Sequence, residues 1–158
     1  MRKFKLRQAI MLILFIIYLL MLIKLILFKY PLSMMRHLFA NATSTLSSGI
    51  EGANYIPFKS ICYYIAGNES RRIAIDNILG NIIAFAPLGF LVPAIFTKIN
   101  NYRKMFLVSF ILSLSFETIQ LLTSLGAFDV DDIILNVSGA ILGYTCYKIV
   151  TLIIRNFK

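Results

Sequence analysis

Apolar residues run along this chain in four blocks, at about 8–28, 78–97, 105–125 and 132–154, each close to the ~20 residues that carry an α-helix across a ~30 Å hydrocarbon core. The pattern predicts an all-α integral membrane protein with four transmembrane helices, organised as a single domain over residues 1–158. The first block is longer than the ~7–15 apolar residues of a secretory signal and no small-x-small cleavage site follows it, so it reads as an uncleaved helix. Residues 29–77 form the long outer connection, whose middle, "NATSTLSSGIEGAN", has the composition of a flexible loop. Beyond it, "YIPFKSICYYIAG" spaces Tyr55, Phe58, Cys62 and Ile65 at helical intervals among aromatics, which predicts an interfacial or re-entrant segment in this first outer loop. Within the second block, Pro87, Gly89 and Pro93 predict a kink or break, because proline removes a backbone donor and collides with the preceding turn.

The polar positions inside the blocks are also periodic. In the third block Ser109, Ser113, Glu117, Gln120 and Ser124 follow at steps of 4, 4, 3 and 4, which puts all five on one helix stripe. The fourth block answers with Asp132, Asn136, Gly139 and Gly143, and "GAILG" is a GxxxG element that lets backbones approach closely. Asn77, Asn81 and Ala84 stand in similar register in the second block. Three stripes of small or polar residues are expected to face one another around an interior open at the outer end, with Glu117 at its floor. Gln120 and Asn136 fall at similar depth at ~1.5 Å per residue, so a contact between them is expected.

Composition agrees with the pattern: 59% of residues are hydrophobic, against roughly 45–50% in soluble domains. The net charge of +9 is mainly a topology signal. Arg2, Lys3, Lys5 and Arg7 precede the first block, Lys98, Arg103 and Lys104 fill the link between the second and third, and Lys148, Arg155 and Lys158 close the chain. Four crossings put all three groups on one side, so the positive-inside rule makes both termini cytoplasmic. Lys59, Arg71 and Arg72 then lie outside, as anchors to anionic lipid or as ligands for phosphate. Cations split over three segments without a motif argue against nucleic acid. Cys62 and Cys146 fall at different depths, so no disulfide is expected, and neither metal-ligand spacing nor a cofactor motif is present.

Glu117 is the candidate for chemistry. A carboxylate in mid-bilayer costs about 2.5–3.5 kcal/mol on insertion scales, and its position marks a functional-site candidate. It suits a general acid or base, with Asp129 or Asp132 as ionised partner. Two structural readings stand beside this one: a helix-to-helix hydrogen bond, or a pair with Arg71 or Arg72. Asp129, Asp131 and Asp132 could bind a hard cation, but the plainer reading is an exposed acidic turn with Asp132 as N-cap of the last helix, and for Asp131 it is the preferred one.

The segments "NYIPFKSI", "DNILGNIIAFAPLGFLVP" and "LSLSFETIQLLTSLGAFDVDDIILNVSGAILGY" resemble the VanZ-like family in order and spacing, over about residues 53–147. The resemblance implies a bacterial cell-membrane protein contributing to glycopeptide (teicoplanin) resistance or envelope homeostasis. It carries over Asn54, Pro57, Phe58, Asn77, Asn81, Pro87, Gly89, Glu117, Gln120, Asp129, Asp132, Asn136, Gly139 and Gly143. Many relatives place an arginine shortly before the "FDxDD" element, where this chain has Gly126 and Ala127, so any cation partner must come from elsewhere.

Three functions compete. The first is a binding module at the outer leaflet, engaging membrane lipid, a lipid-linked cell-wall precursor or an acylated glycopeptide in the polar seam of Asn77, Asn81, Gln120 and Asn136, with Lys59, Arg71 or Arg72 on its phosphate or carboxylate. The second is an intramembrane enzyme acting on a lipid or isoprenoid-phosphate substrate, with Glu117, Asp129 and Asp132 catalytic. The third is a proton- or ion-conducting bundle, a homo-oligomer through the GxxxG face.

Overall fold

The computed structural model describes residues 2–27, 50–123 and 126–157. Most of the Ser-, Thr- and Gly-rich stretch between the first two blocks, Ser124 of the polar stripe and Lys158 lie outside the described residues. The named helices are α1 (Arg2–Leu27), α2 (Lys59–Ile65), α3 (Arg71–Ile95), α4 (Tyr102–Thr123) and α5 (Val130–Asn156). All except the short α2 are long and apolar enough to cross a membrane. Helix α3 begins well before its apolar block. Ser70 caps it, its Oγ accepting the amide of Ile73, and Arg72 and Asp76 pair at 3.8 Å on its exposed first turns, so the helix extends further than hydropathy reports.

The expected break in this helix does not occur. Helix α3 runs through Pro87 and Pro93 without interruption. The carbonyls around a proline need other partners when a helix continues past it. The carbonyls that lose a donor are those of Ile83 and Gly89, four residues before each proline; the Tyr18 hydroxyl of α1 ties down the same stretch by donating to the neighbouring Ala84 carbonyl at 2.7 Å.

The closest approach in the fold joins α3 to α5. A Cβ at Gly139 would lie 2.2 Å from the Ile82 carbonyl oxygen, one at Gly143 1.8 Å from that of Ala86, and one at Gly89 1.8 Å from that of Ala140. These are contacts between two backbones, which only glycine permits. The GxxxG face is therefore filled within the chain, which corrects the expectation that it joins two copies. Large side chains close the space around this pair: Phe85 meets Phe116 of α4 edge-on at 6.4 Å, and Tyr144 meets Tyr102 at 4.8 Å. Leu22 and Ile26 of α1 complete the buried cluster, while Ile13, Leu20 and Met21 remain exposed on the opposite side of α1, as a lipid-facing surface requires.

Substitution at these glycines should separate the helices. Gly143→Ala is expected to destabilise the detergent-solubilised protein by about 1–3 kcal/mol, the usual range for overpacking, despite alanine's better helix propensity. Gly80→Ala, where an added methyl meets nothing within 4 Å, should be neutral or stabilising. Thermal or SDS unfolding followed by circular dichroism distinguishes the two, and equal behaviour would refute the close-packing account.

Candidate functional site

At the end of the bundle where α5 begins, acidic side chains meet the loop before α3. Any helix leaves its first backbone N–H groups without intrahelical partners. Helix α2 has no side-chain cap of its own: its N-cap, Phe58, sits at φ 66°, ψ 2°. The partner arrives from α5. The Asp131 carboxylate, fully buried, accepts the amide of Phe58, that of Ser60 at 2.7 Å and that of Ile61 at 3.1 Å. One carboxylate thus satisfies the start of a helix some seventy residues away in sequence.

Asp129 holds the other side of this clasp. As N-cap of α5 its Oδ1 accepts the Asp131 amide at 2.8 Å, and the same oxygen accepts Asn54 Nδ2 at 2.8 Å while Oδ2 accepts the Ser60 hydroxyl. Asn54 also bridges backbones: its amide donates to the Phe128 carbonyl at 2.7 Å and its carbonyl accepts the Val130 amide at 3.0 Å. Its Oδ1 takes the Ile56 amide at 3.1 Å, and Tyr55 stacks on Phe128 at 5.3 Å. Below this layer Glu117 is buried, and its Oε2 accepts the Asp129 amide at 3.0 Å.

Several expectations change here. The N-cap of α5 is Asp129, not Asp132, whose Oδ1 instead accepts Asn81 Nδ2 at 2.6 Å. Asp131 is not an exposed turn residue but fully buried, because three amides of the α2 turn converge on its carboxylate. Gln120 and Asn136 are both buried on the seam but do not meet. Gln120 Nε2 donates to the Ile26 carbonyl at the end of α1, at 3.1 Å, and Asn136 Nδ2 donates to Ser113 Oγ at 2.9 Å. Asn136 Oδ1 has no hydrogen-bond partner among the described residues. Asn77 turns back on its own helix, donating to the Ile73 carbonyl at 2.9 Å. Lys59, Arg71 and Arg72 are exposed rather than inside the seam. The interior is roofed by Asn54, Ser60 and the first turn of α5, so it is a packed polar core and not an open well.

Outside this roof lies a cavity of about 430 Å³ lined by Lys59, Ser60, Cys62, Tyr63, Tyr64 and Asn68 among others. Burial, then the charges of Asp132 and Asp129, push the Tyr64 phenol above its ordinary value, so it stays a neutral hydrogen-bond donor in the physiological range. Among the described residues no group of three or more His, Cys, Asp or Glu is placed to hold a metal ion.

The family model for VanZ/LLP1 matches residues 15–152, which takes in α2, α3, α4, the greater part of the first and last spans and every residue of the clasp. This chain belongs to the VanZ/LLP1 family. Protein VanZ of Enterococcus faecium is 39% identical over 70 residues, covering 44% of this chain and 43% of that protein. The match thus spans under half of that relative's length. No solved structure matches the chain. Of the clasp residues, Asn54 comes from the resemblance alone and Asp129 from both the acidic cluster and the resemblance, whereas Asp131 is expected only in an exposed turn or cation cluster and Ser60 has no expected role. The available signal for them was an acidic cluster without a nearby cation, which calls for N–H donors instead.

Asp131→Ala is expected to leave three amides without acceptors, a local loss of at least about 3 kcal/mol, since an unsatisfied buried group costs ~1–3 kcal/mol. Hydrogen exchange at Phe58, Ser60 and Ile61 should accelerate roughly 100-fold, with Asp131→Asn intermediate because it keeps one acceptor. Asp76→Asn, breaking an exposed pair of ~0–1 kcal/mol, should leave these amides unchanged. Unaltered protection in the alanine variant would show that the clasp does not hold α2.

Proposed function

We propose that this chain is a VanZ-type protein of the bacterial cell membrane, with both termini cytoplasmic, that contributes to resistance to acylated glycopeptides such as teicoplanin by binding an acylated or lipid-linked ligand at the outer end of the bundle. The observation that carries the reading is the placement of residues 55–65. The clasp ties them to the first turn of a spanning helix, at the depth where hydrocarbon gives way to headgroups. There Tyr55, Ile56, Phe58, Tyr63 and Ile65 are all exposed, with Lys59 among them. A left-handed backbone costs a residue other than glycine roughly 1–2 kcal/mol, and at Phe58 that conformation presents an exposed aromatic ring. Retaining phenylalanine there suits a surface for acyl chains, and Lys59 beside it suits the phosphate or carboxylate of the same ligand.

The cavity beside α2, with its aromatic and amide lining, is the favoured binding position, in place of the roofed seam. Glu117, Asp129 and Asp132 are engaged in hydrogen bonds that hold the fold, which supports a binding module over acid–base chemistry on a lipid or isoprenoid phosphate. Positive-inside orientation supports an outward-facing clasp, since Lys98, Arg103, Lys148 and Arg155 all lie toward the opposite end.

Expression of the chain in a susceptible Gram-positive host is expected to raise the inhibitory concentration of teicoplanin at least about four-fold, a difference of ~0.8 kcal/mol if read as affinity, while vancomycin, which has no acyl tail, shifts less than about two-fold. Phe58→Ser with Ile65→Ser should abolish the teicoplanin effect at unchanged protein level. Equal shifts for both drugs would overturn the acyl-binding reading.

A further inference from the structure

At the opposite end of the bundle, a second cavity of about 310 Å³ opens where the α3–α4 link passes the last turns of α5. Its polar lining includes Thr97, Asn100, Lys148, Thr151 and Arg155 beside two tyrosines, and Pro93 and Leu152 supply apolar wall. All the polar side chains here carry N–H or O–H donors. Lys104 donates to Asn100 Oδ1 at 3.2 Å, which leaves the Asn100 amide nitrogen as the unengaged half of that side chain. Lys148 Nζ stands 4.8 Å from the centroid of the Tyr102 ring and 5.6 Å from that of Tyr144, so two aromatic faces position its ammonium.

Among the described residues no side-chain carboxylate is paired with these cations. None of the seven acidic residues falls between positions 77 and 116 or after 132. Along α5 the nearest, Asp132, is about 24 Å from Lys148 at 1.5 Å per residue, beyond the ~8 Å Debye length at physiological salt. Two cations with no carboxylate partner among the described residues, two free donors and an apolar wall at a helix-bundle end match a phosphate ester whose substituent remains in the membrane. We propose that this cavity binds an anionic phosphate ester, supplied by a lipid headgroup of the adjoining leaflet or by a soluble phosphate. Lys148 and Arg155 neutralise the charge, and Thr97 and Asn100 donate to its oxygens, while the Thr151 hydroxyl is spent on the Tyr147 carbonyl at 2.8 Å. This site is separate from the clasp and independent of the glycopeptide reading.

Native mass spectrometry of the purified full chain, titrated with phosphatidylglycerol or phosphatidylcholine, tests it. Phosphatidylglycerol adducts should be held about ten-fold more tightly, equivalent to ~1.4 kcal/mol. Lys148→Gln with Arg155→Gln should remove that preference, and Lys148→Arg with Arg155→Lys should retain it. Lys98→Gln with Arg103→Gln, at the same end but outside the cavity lining, should keep it within about two-fold, as expected of exposed charges acting only at long range. Loss of the lipid adduct on adding millimolar inorganic phosphate would identify the free anion as a competent ligand, and persistence would identify the lipid; both outcomes support a phosphate-ester site. Equal binding of the two lipids by the parent chain, which needs no variant to fold, would overturn the proposal, as would equal loss in the Lys98 and Arg103 variant.

Discussion

The end of the bundle where α5 begins depends on backbone amides at the start of α2 that find their acceptors in side chains of another helix. Near a bilayer, N–H groups at the start of a helix must find acceptors within the protein, because lipid offers none. Asp131 supplies acceptors to three of them at once, and Asp129 fixes Asp131 by capping the same turn. A carboxylate fully enclosed by N–H donors does not need a cation, because charge-assisted hydrogen bonds are roughly twice as strong as neutral ones. The absence of arginine ahead of "FDVDD" follows easily: the donors come from the loop backbone, so no guanidinium is required at Gly126 or Ala127.

The clasp works only because the helices beneath it are rigidly placed. Gly139 and Gly143 let α5 lie directly on the carbonyls of α3, which brings Asn81 within reach of Asp132 and sets the first turn of α5 over Glu117. In lipid, apolar side chains gain little by meeting one another, so close backbone approach and polar contacts must carry helix association. This sequence uses both along one α3–α5 interface, glycines at the middle and amide–carboxylate bonds at the end. Ser113 and Asn136 continue the polar contact between α4 and α5.

How much of this was legible depended on the range of the interactions. The spans, the buried stripe of Ser109, Ser113, Glu117 and Gln120, and the tight-packing glycines are periodic along single helices, so spacing alone exposes them. The pairings were less legible. Gln120 and Asn136 lie at similar depth, yet Gln120 bonds to the Ile26 carbonyl, and a backbone acceptor has no sequence signature. Asp131 failed for the same reason on a larger scale, since its partners are amides rather than side chains. The start of α3 was placed too late because its first turns are polar and capped by Ser70, features outside a hydropathy window.

Glu117 changes meaning in this setting. A lone acid in an apolar helix suggests chemistry when it is viewed along the sequence, since a structural role would be filled at lower cost by serine or glutamine. Placed under the clasp, however, it does what those residues do poorly: a carboxylate offers two strong acceptor oxygens and no competing donor. Its Oε2 receives the amide of the residue that caps α5. Three acids thus form a vertical series, with Glu117 holding the backbone of Asp129, Asp129 holding that of Asp131, and Asp131 holding the start of α2. Movement of α4 against α5 would be transmitted through this series to the exposed aromatic loop. That gives the buried acid a positional role toward the exposed loop without assigning it a proton to transfer.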